Sequence, residues 1–117
     1  MDLQTFLHQI NNSSETVTFD ETMEVIDTMY DFVPVAFSNG TLNNDAGQNN
    51  GSCKLFSFSA LQGFSSAQTL ACFGDYYRKD VLGNPEGTDH QNIRNFMKTG
   101  WDGIKFTADA LAAKSTP

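Results

Sequence analysis

The chain has 117 residues, fourteen of them acidic and seven basic, for a net charge of −7, and that length is one domain's worth, enough to bury a core without disulfide or metal staples. Residues 1–53 hold eight acids and no Lys or Arg, so the two halves carry −8 and +1, a balance that argues against general binding to nucleic acid or anionic lipid. No apolar run approaches the roughly 18 residues of a membrane-spanning helix, and the opening Met-Asp-Leu-Gln lacks the basic region of a secretory signal.

Leu3, Phe6, Leu7 and Ile10 follow the i, i+3, i+4, i+7 rule and predict an amphipathic helix over 3–10 with Asp2 as its cap. Thr18 and Glu21 form a T-x-x-E capping box, and Phe19, Met23, Ile26, Tyr30 and Val33 then fall on one face until Pro34 closes the helix. Residues 35–42 resemble a short hairpin turning at Asn39-Gly40, a pair suited to a type I′ turn. Residues 43–51 contain no large apolar side chain and predict a loop.

Ser52 is placed to cap a helix over 53–62, although Phe56, Phe58 and Ala60 alternate and leave a strand open; Gly63 suits the helix end. Ser65 and Gln68 make a second capping box, followed by the stripe Leu70, Phe73, Tyr77 and Val81. Thr88 and Gln91 make a third, with Ile93, Phe96 and Met97 facing inward and Gly100 as the stop. Trp101, just past that glycine, is expected to fold back on the last turn. Ile104 and Phe106 alternate as a short strand near 104–106, and Thr107 caps a weak final helix over 108–114. The sum is a mainly α single domain of about five helices over 1–117, with a short hairpin and one short strand.

Cys53 and Cys72 are the only cysteines; they form no C-x-x-C pair and sit beside apolar residues, so buried, reduced thiols are expected. The stretch between Ser38 and Ser52 holds five Asn, three Gly, one Asp and one Gln. Its amides, among them Asn39, Asn43, Asn49 and Asn50, offer groups for a small polar ligand, or else serve turn geometry. Arg78, next to two tyrosines, can hold a carboxylate or phosphate, or pair with an acid such as Asp80; Asp75 and Lys79 make an i, i+4 surface pair. His90 and Arg94 lie four apart, as a general base and an anion clamp would. Cys53 with His90 and Asp89 supplies the residue types of a thiol nucleophile, base and orienting acid. His8 and His90 are far apart in sequence, so neither a metal nor a cofactor is expected.

Two stretches make the chain recognisable: Ala36-Phe-Ser-Asn-Gly40 with Gly47-Gln-Asn-Asn-Gly-Ser-Cys-Lys-Leu-Phe56, and Gln68-Thr-Leu-Ala-Cys-Phe-Gly-Asp-Tyr-Tyr-Arg-Lys-Asp-Val-Leu82, running on through Asp89-His-Gln-Asn-Ile-Arg-Asn-Phe-Met97 to Gly103-Ile-Lys-Phe106. Together they resemble the HopJ type III effector family of Gram-negative bacteria over nearly the whole chain. The resemblance implies an effector-like bacterial protein that acts by binding a protein, of host or bacterium, or a small polar ligand. The alternatives are a small hydrolase or transferase using the 76–94 region and a housekeeping protein with no secretion role. It carries over no catalytic residue. The expected location is the bacterial cytoplasm, with type III translocation into a host cell as the alternative. The acidic Asp2 and the patterned residues 3–10 depart from the flexible, Ser-rich leader of secreted effectors. Oligomeric state is left open.

If the Leu70–Val81 stripe is core, Phe73→Ala should lower stability by about 3–5 kcal/mol in urea unfolding; a negligible change would remove this segment from the core.

Overall fold

The first two helices begin where their caps place them. The computed structural model describes residues 1–114. Asp2 accepts a hydrogen bond from the Thr5 amide at the start of α1 (Leu3–Asn12). The Thr18–Glu21 capping box is complete at the start of α2 (Phe19–Met29). Thr22, Val25 and Ile26 form the buried face of α2, with Phe19 and Met23 half-buried beside it.

That helix is shorter than its pattern implies. Tyr30–Phe32 forms β1, and Val33 is 60% exposed. Its partner is β5 (Leu111–Ala113), antiparallel with Phe32 opposite Leu111, in place of the expected final helix over 108–114. Leu111–Ala113 carries no strand pattern and the Tyr30-Asp31-Phe32 alternation is only three residues long; each segment supplies the other's backbone hydrogen bonds, and the two are distant in sequence.

The hairpin is present as β2 (Phe37–Asn39) and β3 (Leu42–Asn44), with β4 (Ile104–Phe106) on the other side of β2, giving the order β3-β2-β4. The turn residues are Gly40 and Thr41, not Asn39 and Gly40. Gly40 takes φ 61° while Thr41 stays out of the left-handed region, as the first-position glycine of a type II′ turn does. This one-residue shift keeps Asn39 in the strand and wholly buried.

Residues 50–62 resolve the choice between helix and strand: they form α3 (Asn50–Gln62), which starts at Asn49 rather than Ser52 and ends at a left-handed Gly63. Leu55, Phe56, Ser57, Phe58 and Ser59 are all buried, because α3 is packed on every side and so lacks a single apolar stripe. Phe56 meets Phe37, Phe73, Phe96 and Trp101 with ring centroids 5.0–6.4 Å apart. Phe58, two residues on, meets Phe6, Tyr30 and Phe64 at 5.8–6.1 Å.

The second capping box is complete at Ser65 and Gln68, but the helix it starts, α4 (Ser66–Ala71), is brief. Gly74 breaks the predicted stripe with φ 63°, and the chain re-enters as a π-helical turn, Tyr76–Val81, in which the Leu82 amide donates to the Tyr77 carbonyl 3.0 Å away. The third box does not form. Helix α5 (Gln91–Thr99) starts at His90, and the Gln91 side chain donates to the Thr88 carbonyl instead of accepting from the Thr88 amide. Ile93 and Phe96 are buried, but Met97 is 45% exposed, contrary to the inward position its spacing implies. Gly100 stops α5, and Trp101 folds back onto Phe96 at 5.2 Å and donates to the Phe64 carbonyl at 3.0 Å. Among the described residues no helix is long and apolar enough to cross a membrane.

A Cβ added at Gly74 would lie 2.7 Å from the Phe19 amide nitrogen and 3.1 Å from Thr18 Cα. Gly74→Ala should therefore cost about 2–3 kcal/mol in thermal or urea unfolding, from the left-handed backbone and the contact together.

Candidate functional site

Three of the five α-helices carry a side-chain cap: Asp2 on α1, Thr18 on α2 and Ser65 on α4. The other two, α3 and α5, have no side-chain cap and no acid in the first turn. Their N-cap residues, Asn49 with φ 53° and His90 with φ 49°, are the non-glycine residues of the described chain in the left-handed region. Asn and His tolerate that conformation better than most. Both helix starts open on the same cleft, whose volume is about 560 Å³. A volume of that order suits a small-molecule site. Phe19, Leu42, Phe73, Tyr76 and Ile93 give it apolar walls, and Asn49, Ser52, His90, Gln91 and Asn92 give it polar groups. First-turn amides have no intrahelical acceptor, so the two helix starts add donors to these side chains.

His90 is fixed from three sides. Its Nε2 lies 3.0 Å from Asp80 Oδ2 and 3.9 Å from Asp89 Oδ2, and its ring tilts against Tyr76 with centroids 5.3 Å apart. An ionised carboxylate only accepts, so Nε2 carries the proton given to Asp80. Tyr76 and Asp80 both come from the π-helical turn, a feature that recurs at functional sites.

The backbone that places His90 is held by Arg94. Its guanidinium donates to the Asp89 carbonyl at 2.6 Å, to Asp89 Oδ1 at 2.6 Å, and to the carbonyls of Asn84 and Pro85 at 3.0 and 3.3 Å. The hydrogen bond from Arg94 also holds the Asp89 carboxyl below the usual carboxylate range. Gly87 makes room for this clamp, since a Cβ there would lie 2.6 Å from Arg94 Nη2. Arg94 is buried and engaged within the protein, so it serves the loop rather than acting as an anion clamp beside His90. Arg78 behaves alike: it donates to the carbonyls of Ser14, Val17 and Ala71, and its nearest carboxylate is Asp75 at 4.0 Å, while Asp80 goes to His90. The expected Asp75–Lys79 pair is present at 3.5 Å.

Cys53 is turned into the core, 1% exposed, with its thiol donating to the Val35 carbonyl at 3.8 Å. Burial pushes that thiol up in pKa, and pushes the Cys72 thiol to about 12. A thiol in that environment is a poor nucleophile, and Cys53 does not line the cleft that His90 enters. Both cysteines are free and buried.

The amide-rich stretch divides between interior and surface. Asn39 Nδ2 donates to the Asn92 carbonyl at 2.7 Å and to Asn92 Oδ1 at 3.1 Å. Asn44 and Asn92 exchange amide hydrogen bonds at 3.0 and 3.2 Å. Asn49 Nδ2 donates to Asn44 Oδ1 at 2.7 Å, and Asn95 Nδ2 to the Asn39 carbonyl at 3.1 Å. Asn39, Asn44 and Asn92 are buried, whereas Asn43 and Asn50 are exposed. Asn49 is the member of the predicted amide set that lines the cleft. Sequence reasoning missed Asn44 and Asn92. With the turn at Gly40-Thr41, strand alternation puts 42 and 44 on one face and 43 on the other, so the hairpin register was the missing signal for Asn44.

Asn92→Ala leaves the side-chain amides of Asn39 and Asn44 short of partners. It should cost about 2–4 kcal/mol in urea unfolding; a loss below about 0.5 kcal/mol would mean that the network is not formed in solution.

Comparison with known proteins gives consistent results. The chain is similar to the crystal structure of the unknown function protein VPA0580, with a TM-score of 0.96, 56% sequence identity, and coverage of 97% of this chain and 95% of that one. No curated protein matches. The family described as HopJ type III effector protein matches residues 3–111. From the motifs, the fold and this match together, the chain belongs to the HopJ type III effector protein family.

Proposed function

We propose that this chain works as an effector-like binding protein, and that the cleft between the starts of α3 and α5 takes a compact ligand with an acceptor head, such as a carboxylate, on a small apolar body. One observation carries this reading: the two helices without side-chain caps begin at a single aromatic-walled cleft. Helix starts favour an acceptor or anion, and Phe19, Phe73 and Tyr76 supply surface for the apolar part. The placement of Cys53 in the core favours binding over thiol chemistry. The Ser52 hydroxyl and the Gln91 side-chain amide then orient the acceptor head rather than transform the ligand.

Benzoate is a direct probe, because it joins a flat ring to a carboxylate. In titrations of ¹⁵N-labelled protein, saturable shifts are expected at the amides of residues 50–52 and 91–93. Shifts confined to other surfaces, or no saturable shift, would overturn the reading.

A further inference from the structure

Tyr76, with Phe19 and Phe73, also lines a second hollow. This one, about 320 Å³ in volume, is walled by Phe19, Phe73 and Tyr76 and edged by Thr18, Asp20 and Asp75. Its chemistry differs from that of the cleft at the starts of α3 and α5. At the α2 start that borders it the capping box already satisfies the Thr18 and Glu21 amides, and the first turn carries Asp20 and Glu21. The three rings meet at different angles. Phe19 lies nearly parallel to Phe73 (14°, 6.3 Å between centroids) and nearly upright to Tyr76 (68°, 5.2 Å).

Ring faces carry negative potential, and a corner of aromatic rings beside carboxylates recognises a cation. The cations near the hollow are Lys79, 3.5 Å from Asp75 and with a side chain 76% exposed, and Arg78, 4.0 Å from Asp75 and turned toward backbone carbonyls. The whole chain carries −7, and its first 53 residues contain no Lys or Arg, so the long-range field also draws cations.

We infer that the hollow beside Tyr76 is a binding site for an alkylated ammonium group, held against Phe19 and Tyr76 with Asp20 as its counter-charge, since Phe73 is buried and Asp75 is engaged by Lys79. A quaternary ammonium fits this wall better than a primary amine, because it is weakly hydrated and needs no acceptor for an N–H. The group belongs either to a free small molecule or to a methylated lysine of a partner protein. The hollow shares Phe19, Phe73 and Tyr76 with the acceptor cleft, so the two readings are told apart by the amides on which their probes report: 50–52 and 91–93 for benzoate, 18–20 and 75–76 for the ammonium.

Tetramethylammonium chloride is the first probe, titrated into the full ¹⁵N-labelled chain with sodium chloride at equal ionic strength as control. Saturable shifts are expected at residues 18–20 and 75–76. Tyr76→Leu should weaken binding about tenfold, while Tyr76→Phe, which keeps the ring, should hold it within about twofold. Asp20→Asn should weaken it by a smaller factor. A second arm compares a peptide bearing trimethyl-lysine with its unmodified form. A trimethyl-lysine peptide that binds more than about tenfold tighter than tetramethylammonium identifies a partner's side chain as the source; equal affinities identify a free amine. Shifts no larger than those from sodium chloride, or binding unchanged in Tyr76→Leu, would overturn the inference.

Discussion

The fold is organised around the enclosure of α3. A helix of 13 residues with five consecutive buried positions needs neighbours on all sides, and the short remaining elements supply them. Phe56 gathers β2, α5, Trp101 and the segment after α4, while Phe58 gathers α1, β1 and Phe64. Helix α3 nonetheless begins at the surface, with Asn49 and Asn50 exposed and Gly51 and Ser52 half-buried. Its first turn emerges under Phe19, whose Cζ would be 3.0 Å from a Cβ at Gly51. Its cap residue, Asn49, hangs from Asn44 instead of closing the helix with its own side chain. The cleft follows from burying α3 this way.

Polar groups hold what short elements cannot. The strands of both sheets are three residues long, so the loops between elements are not stiffened by long ladders. Arg78 and Arg94 direct their donors to backbone carbonyls, and the asparagine network joins the hairpin to α5. Each buried donor satisfied this way avoids a desolvation cost of about 1–3 kcal/mol. The result is a rigid surround for two left-handed residues, Asn49 and His90, that would otherwise relax. Arg94 thus acts on the cleft through Asp89 and His90 without lining it.

Local signals were readable wherever one short segment contained both partners of an interaction. Asp2, Thr18 with Glu21, and Ser65 with Gln68 cap their helices as their spacing implies, and Gly63 and Gly100 end theirs. The same reasoning failed at Thr88 and Gln91, where the pattern is present but Arg94 pulls the 84–89 loop into another path and moves the helix start to His90. It failed again at Tyr30–Phe32 and Leu111–Ala113, since strand pairing across 81 residues leaves only a three-residue alternation in the first segment and no strand pattern in the second. The candidate site was legible in part. His90, Asp80 and Asn49 were singled out by residue type and do lie at or beside the cleft, whereas Phe19, Phe73 and Tyr76, its aromatic walls, read in sequence as core positions or as unassigned.

Capping spacing and apolar periodicity determined by themselves that the chain is mainly helical, where α1, α2 and α4 begin, and where α3 and α5 end. Those features are encoded within about one or two helical turns. Tertiary structure alone decided that Asp80 meets His90 rather than Arg78, that Cys53 turns away from His90, and that two uncapped helix starts share one cleft. Each of those outcomes depends on which distant backbone carbonyl, ring or carboxylate is brought within about 3–6 Å, and no window of sequence contains that distance.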